Sequence, residues 1–256
     1  VNSGFTLLGN SLETIDLAED RGRFAEVCKA LDLKIPKSKM IFNLKQAKEF
    51  VEQNGFPVLC RPSYVLGGRR MEVIETQDDL EAYFEKYGEF ISQDSPFLID
   101  EFLNRALEVD VDLVRSKNWS VIGGVVEHIE AAGVHSGDSM GVLPPQRLKD
   151  ETLQKMEEMS IKLADKMNVI GHLNLQLAVK NDEIYVLEAN PRSSRSVPFV
   201  AKASRVPLVD LAVKAILEKP LDKAYNWKNT SQVSVKGVVF PFNKFKNADS
   251  ILGPEM

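Results

Sequence analysis

The chain has 256 residues, of which 44% are hydrophobic and 27% are charged, and its net charge is −5. This composition is typical of a globular protein and excludes a broad basic surface for nucleic acid. No apolar run approaches the roughly 18 residues that cross a bilayer, so no membrane partner is expected. Cys28 and Cys60 lack zinc or CxxC spacing, which predicts buried thiols and a reducing, cytoplasmic location. No secretion signal is recognised, and the start at Val1 suggests a piece of a longer protein.

Helical and strand patterns alternate along the chain, which predicts a mixed α and β fold. Apolar residues at helical spacing predict helices over residues 11–32, 44–54, 76–87, 150–167 and 207–218. Runs with strand character lie over residues 57–61, 71–74, 97–101, 107–114, 119–128, 172–180, 184–189 and 233–240. Gly55 is expected to end the second helix, and Thr76 and Asp79 to form a capping box at the third.

Two loop features matter for function. A long polar loop is predicted over residues 131–145, and a loop of this length in a compact domain is usually functional or disordered. The sequence contains neither a GxxxxGK[ST] loop nor a GxGxxG loop after a strand. Any nucleotide must therefore bind in another way.

The last predicted hairpin carries the strongest chemical signal. Side chains alternate along a strand, so Asn174 and Gln176 share one face, and Glu188 and Asn190 share another. A two-residue turn would place Gln176 opposite Leu187. A three-residue loop instead pairs Gln176 with Glu188 and Asn174 with Asn190, and we expect this loop because it gathers the polar groups.

Carboxylate and amide oxygens suit Mg²⁺, which binds few protein oxygens together with phosphates and waters. Gln176, Glu188 and Asn190 are therefore candidate metal ligands. Arg192 and Arg195 follow the strand, and arginines beside a metal-bound triphosphate offset charge during phosphoryl transfer. Taken alone, the pattern is equally consistent with a solvated strand face followed by a basic turn.

Two other loops are weaker candidates. Gly67 and Gly68 follow Arg61 and can direct backbone N–H groups at an anion, although a lone glycine pair is more often an ordinary turn. The loop that contains His135 can cover a triphosphate, but by itself His135 is more readily interpreted as a surface residue.

Together these motifs resemble the large subunit of carbamoyl phosphate synthetase, and they occur in that family's order. The motifs are Arg61–Arg69 (RPSYVLGGR), Glu127–Glu130 (EHIE), Ala132–Ser139 (AGVHSGDS) and Glu188–Arg195 (EANPRSSR). The resemblance extends from about Leu8 to the end and is to the second of the family's two similar halves. It implies an α+β ATP-grasp fold, in which two α+β subdomains grip ATP between them.

The resemblance also implies a division of the chain and a set of site residues. Residues 1–55 would form an N-terminal helical segment, 56–130 the small subdomain with linking strands, and 131–256 the large subdomain with the metal site. The implied ATP-binding residues are Arg21, Arg61, Gly67, Gly68, Glu101, Leu103, Glu108, Gly133, Val134, His135, Ser136, Gln176 and Glu188. The implied metal ligands are Gln176, Glu188 and Asn190, and the implied catalytic residues are Arg192, Arg195 and Glu188.

The implied activity is phosphorylation of carbamate by ATP, with Mg²⁺ or Mn²⁺, within glutamine-dependent carbamoyl phosphate synthesis. The implied partners are a glutaminase small subunit and the other half of the large subunit. The product's use in arginine or pyrimidine synthesis is left open. So are two alternatives: another ATP-grasp carboxylase or ligase, and a nucleotide-binding fragment without activity in isolation. Arg21 and Arg61, where those enzymes commonly use lysines, and Gln176, where a carboxylate is frequent, favour the synthetase.

Overall fold

The structure, a computed structural model, describes residues 7–62, 70–91, 96–240 and 251–253. The described residues form two compact units, each assembled from separate stretches of the chain, whereas the sequence prediction used three consecutive ranges. Unit 1 lies within Val1–Ile35, Leu107–Ile129 and Met140–Gly237. Unit 2 lies within Pro36–Ala106, Glu130–Ser139 and Val238–Met256. The roles assigned to the three predicted ranges stay predictions.

Helices and strands are interspersed along the chain, which confirms the predicted mixed α and β fold. The helices are α1 Leu12–Glu19, α2 Arg21–Ala30, α3 Leu44–Asn54, α4 Gln77–Tyr87, α5 Asp150–Lys166, α6 Val197–Ser204 and α7 Leu208–Ile216, with a 3₁₀ turn at Gly88–Phe90. The strands are β1 Ser38–Ile41, β2 Val58–Pro62, β3 Glu72–Ile74, β4 Phe97–Glu101, β5 Leu107–Arg115, β6 Ser120–His128, β7 Gly141–Leu143, β8 Gly171–Lys180, β9 Glu183–Asn190 and β10 Ser234–Lys236.

The single helix predicted over residues 11–32 is wrong, because the chain breaks at Asp20. Asp20 has extended backbone angles and both ends α1 and begins α2. Its side chain accepts a hydrogen bond from the backbone N–H of Arg23 at 2.9 Å, as an aspartate at a helix start commonly does. The apolar spacing continues across the break, so periodicity did not reveal it.

The loop predicted over residues 131–145 is wrong in part, because β7 lies within it and pairs with β6 and β10. The short elements β1 and α6 were not predicted. Two local predictions are confirmed. Gly55 ends α3 with a φ of 79°, and Thr76 and Asp79 form both hydrogen bonds of a capping box.

Unit 1 is built on a six-stranded antiparallel sheet with strand order β10-β7-β6-β5-β8-β9. Met156 and Leu163 of α5 join Val111 and Leu175 of the sheet in one apolar core. Cys28 on α2 belongs to this core, and its burial raises the pKa of the thiol to about 11. This face of the sheet is therefore closed to water, and any polar chemistry belongs to the opposite face.

Unit 2 contains a four-stranded antiparallel sheet with strand order β1-β4-β2-β3. Tyr83 of α4 and Phe97 of β4 lie in its apolar core together with Cys60. Burial, with smaller contributions from Asp100 and Glu72, raises the pKa of Cys60 to about 12. The prediction that both cysteines are buried thiols is confirmed. None of the helices in the described ranges has the length and apolar character needed to cross a membrane.

Candidate functional site

The hairpin β8–β9 brings the predicted metal ligands onto one face. Gln176 lies opposite Glu188, and Asn174 lies opposite Asn190, as the sequence predicted. Glu188 is exposed and Gln176 is half-buried, whereas Asn190 is only 5% exposed. The outer end of this row is therefore open to solvent, while its inner end is held inside the unit.

The backbone reaches this arrangement by a route that differs from the prediction. Only Asn181 and Asp182 form the turn, so the predicted three-residue loop that included Glu183 is wrong. Both turn residues have positive φ, 54° and 63°, which is the hairpin turn that matches the twist of its strands. The ladder then shifts by one residue, which leaves Leu187 as an extra residue in β9. This bulge returns the polar side chains to one face.

Strand β5 extends the row of polar groups on the other side of β8. Asp110 lies opposite Gln176, and Asp112 lies opposite Asn174. Both aspartates are buried, with exposed fractions of 5% and 1%. We use the name polar face for six residues: Asp110, Asp112, Asn174, Gln176, Glu188 and Asn190.

Asp112 accepts hydrogen bonds from three side chains. Ser194 Oγ donates to its Oδ1 at 2.7 Å, Asn174 Nδ2 donates to the same atom at 3.1 Å, and Ser196 Oγ donates to its Oδ2. Burial raises the pKa of Asp112 to about 6, although the three donors favour its charged form. The carboxylate therefore ties two strands to the segment that follows β9.

The predicted catalytic arginines lie in that segment. Arg192 and Arg195 are both exposed. The Nη2 group of Arg192 donates to Asn190 Oδ1 at 3.0 Å, which orders its guanidinium beside the polar face. Arg21 is also exposed and is the first residue of α2.

His128 is a buried group that the sequence analysis did not assign. Its Nε2 atom lies 3.1 Å from Asp110 Oδ2, and its Nδ1 atom lies 3.5 Å from Glu108 Oε2. Burial alone would lower the pKa of His128, but the two carboxylates raise it to about 9. The acidic residues at alternate positions of β5 were the available signal. Glu108, a predicted ATP-binding residue, is thus held by a buried imidazolium.

In unit 2, the predicted ATP-binding residues lie near the ends of β2 and β4. Arg61 contacts the carboxylate of Asp100 through Nε at 2.9 Å and Nη2 at 2.7 Å. The backbone N–H of Glu101 donates to Lys37 O at 2.7 Å, and Leu103 is buried. The remaining two predictions in this region, Gly67 and Gly68, lie outside the described residues.

The loop of residues 133–136 contains the last group of predicted ATP-binding residues. Gly133 has a φ of 106°, and a Cβ atom there would lie 2.8 Å from Cζ of Phe102, so both the backbone and the packing require glycine. The backbone N–H of His135 donates to Gly253 O at 2.8 Å, and its Nδ1 accepts from Gly137 N at 3.0 Å. Val134 and Ser136 flank His135, and all three are half-buried.

The donor set on the polar face fits Mg²⁺ when other oxygens complete its shell. Gln176, Glu188 and Asn190 offer hard oxygen ligands with a single carboxylate among them. Within the described ranges there is no cluster of three or more His, Cys, Asp or Glu side chains suited to a metal. Asp110 Oδ1 is buried, has no hydrogen-bond partner among the described residues, and adds an acidic oxygen to this face. A cation here would therefore depend on oxygens of a bound anion.

Comparison with known sequences places the chain in a family. Residues 20–224 match the family model for the carbamoyl-phosphate synthase L chain, ATP binding domain. All of the chain aligns with the carbamoyl phosphate synthase large chain of Archaeoglobus fulgidus, at 48% identity and over 24% of that protein. All of it also aligns with the C-terminal section of the large chain of Methanocaldococcus jannaschii, at 43% identity and over 43% of that protein. The chain therefore spans less than half the length of these relatives.

Comparison of structures shows the fold. The chain resembles the biotin carboxylase domain of Hydrogenobacter thermophilus 2-oxoglutarate carboxylase, which was solved with MgADP, ADP and bicarbonate. The TM-score is 0.76 and the identity 16%, over 91% of this chain and 53% of that one. The α+β ATP-grasp fold predicted from the sequence is confirmed.

Proposed function

The chain belongs to the carbamoyl-phosphate synthase L chain ATP-binding domain family, and we propose that it binds MgATP and phosphorylates carbamate. In this reaction a carbamate oxygen attacks the γ-phosphorus, the bond to the ADP oxygen breaks, and carbamoyl phosphate forms. One observation carries the proposal: Gln176, Glu188 and Asn190 lie on one face of the β8–β9 hairpin, and Arg192 and Arg195 follow the end of β9. The resemblance is to the second half of the family's large subunit, for which it implies carbamate as the acceptor, whereas it implies bicarbonate for the first half. The alignment with a C-terminal section of a large chain agrees with this choice of carbamate.

The chemistry asks the protein to position two anions and to offset their repulsion. Bound Mg²⁺, or Mn²⁺ in its place, would neutralise charge on the β- and γ-phosphate oxygens. Glu188 supplies the only carboxylate among the three proposed ligands and is exposed at the outer end of the row. The arginines provide planar, permanently charged donors that match phosphate geometry.

The remaining predicted residues are proposed nucleotide contacts. Arg61, whose guanidinium is oriented by Asp100, would donate to phosphate oxygens, as would Arg21. Glu101, Leu103 and Glu108 would hold the adenine and ribose, with the backbone of Glu101 supplying its contact. The loop of residues 133–136 would lie beside the nucleotide. The proposed protein partners are a glutaminase small subunit and the remainder of a large chain.

A second candidate function is nucleotide binding by this chain without turnover on its own. The observation that favours it is the length of the relatives, because the chain aligns with only 24% of the Archaeoglobus fulgidus protein. Calorimetric titration of the chain with MgATP shows whether the nucleotide binds. An assay for turnover by the same preparation then separates binding from catalysis.

The test of the proposed reaction is Glu188→Gln in the full-length large chain, assayed for ATP synthesis from carbamoyl phosphate and ADP. We expect turnover to fall at least about 100-fold, the usual scale for removing one preorganised electrostatic contact. Glu183→Gln is a matched control on the same strand. Glu183 is exposed, forms an ion pair with Lys34, and lies between the turn and the bulge. Near-normal turnover by Glu188→Gln would reject the assignment.

A further inference from the structure

The segment between β9 and α6, residues 191–196, carries the two exposed arginines but is held by its serines. We call it the arginine segment. Ser194 Oγ donates to Asp112 Oδ1 at 2.7 Å, and Ser196 Oγ donates to Asp112 Oδ2. The two hydroxyls also lie 2.7 Å apart. A single buried carboxylate thus holds the segment at two points, one on each side of Arg195.

Ser196 is used in an unusual way. It occupies the N-cap position of α6, but its side chain makes no capping hydrogen bond to the helix. A serine at this position ordinarily accepts from a backbone N–H of the first turn and stabilises the helix by about 1 kcal/mol. Here the hydroxyl donates to Asp112 instead, so the attachment of the arginine segment takes the place of a helix cap.

Asp112 is anchored in turn by the sheet. Asn174, its partner across β8, donates to Oδ1 at 3.1 Å, and the β5–β6 ladder shifts register immediately after Asp112. The carboxylate is 1% exposed, and burying it would be unfavourable without these three donors. The sheet therefore fixes the position of the Asp112 carboxylate, and the carboxylate in turn fixes the position of the arginine segment.

We propose that Asp112 is a positioning residue, which fixes the arginine segment to the sheet and thereby places Arg192 and Arg195 for phosphoryl transfer. This inference rests on the proposed function of the two arginines. It extends that function to a buried residue that is not among the proposed nucleotide contacts or metal ligands. Its physical basis is that displacing a catalytic group by about 1 Å can slow a reaction about 100-fold.

The test uses Asp112→Asn and, as a milder variant, Ser196→Ala in the full-length large chain. In ATP synthesis from carbamoyl phosphate and ADP, we expect Asp112→Asn to lower kcat about 100-fold and Ser196→Ala about tenfold, with the KM for MgADP within about threefold of wild type. Ser160→Ala is the matched control, since Ser160 is a buried serine of α5 whose hydroxyl has no hydrogen-bond partner among the described residues. It should leave kcat unchanged.

A double-mutant comparison separates positioning from general stability. If Asp112 acts through the arginines, adding Asp112→Asn to Arg195→Ala should lower kcat much less than it does in the wild type. Full additivity, or an unchanged kcat in both Asp112→Asn and Ser196→Ala, would overturn the proposal.

The proposed function and the positioning role fail in different ways. If the wild-type enzyme makes no ATP from carbamoyl phosphate, the proposed function is rejected. Amide hydrogen exchange in the 256-residue chain then decides whether Asp112 positions the segment. We expect Asp112→Asn to speed exchange in residues 192–196 about tenfold while β8 and β9 stay protected. Equal exchange in wild type and variant would reject the positioning role by itself.

Discussion

The two long hairpins of unit 1, β5–β6 and β8–β9, are built alike and used differently. Each has a two-residue turn and one extra residue in its second strand. The extra residues, Gly123 and Leu187, both lie five positions after the turn. The same irregularity therefore occurs at the same place in β6, which packs against a helix, and in β9, which contains candidate site residues.

The identity of the extra residue tells the two uses apart. A Cβ atom at Gly123 would lie 2.4 Å from Cδ2 of Leu208, the buried first residue of α7, so this bulge allows a helix to approach the sheet. Leu187 is half-buried and has no partner on β8, so Glu188 and Asn190 keep their positions opposite Gln176 and Asn174. The bulge at Gly123 allows close packing, whereas the bulge at Leu187 accommodates an extra residue and keeps the ligands in register with β8.

The largest expected effect comes from lengthening the β9 bulge. One alanine inserted after Leu187 should turn Glu188 and Asn190 away from the polar face, because a shift of one residue reverses every side chain. Binding of MgATP, measured by calorimetry on this chain, should weaken by more than the roughly 10–100-fold that loss of one supporting group produces at metal sites.

Deleting Leu187 is the control for that insertion. It removes the extra residue but leaves Gln176 opposite Glu188 in a regular ladder, so MgATP affinity should stay within about threefold of wild type. Equal affinity of the insertion and the wild type would show that side-chain direction on β9 does not determine binding.

A smaller effect is expected in the first hairpin. Gly123→Ala should lower the free energy of unfolding by about 1–3 kcal/mol, because the new methyl group overpacks against Leu208. Leu187→Ala is the matched change in the second hairpin and should lower it by less. Urea unfolding of the two variants measures both values. A greater loss at Leu187 than at Gly123 would reverse the assigned roles of the two bulges.

The last prediction concerns the charges that join β5 to β6. Because the pKa of His128 is raised from 6.5 to about 9, its contribution to stability is complete below pH 6.5 and is lost as the pH rises through 9. Urea unfolding should therefore show a fall in the free energy of unfolding across this window. His128→Gln should remove the fall, and a wild-type protein as stable at pH 9.5 as at pH 6.5 would contradict the imidazolium assignment.

Elements with strong local signals could be predicted from the sequence. The capping box at Thr76 and the glycine at position 55 placed helix ends correctly, because both act within one turn of the chain. The break at Asp20 could not be predicted from periodicity, since the apolar spacing continues across it. Strand β7 was missed because its three residues lie between a polar stretch and two prolines, a context typical of a loop.

The ligands on the β8–β9 hairpin could be predicted from the sequence, but the buried charged residues beside them could not. The requirement that polar groups share a face gave the correct pairing of Gln176 with Glu188, but loop length and bulge are interchangeable in such an argument. Asp110, Asp112 and His128 were missed because charges that alternate along a strand usually indicate a solvated face. Only tertiary packing shows that these three are buried.

The most direct test of the central claim is to locate a paramagnetic metal in the presence of the nucleotide. Mn²⁺ added with ATP to the ¹⁵N-labelled chain should broaden the side-chain amide signals of Gln176 and Asn190 first, because both lie on the polar face with Glu188. The amides of Asn118, in the other hairpin turn, and Gln154, on α5, should broaden later, and Glu188→Gln should abolish the difference. If the nucleotide binds but the side-chain amide signals of Asn118 or Gln154 broaden before those of Gln176 and Asn190, a metal site on this face is contradicted.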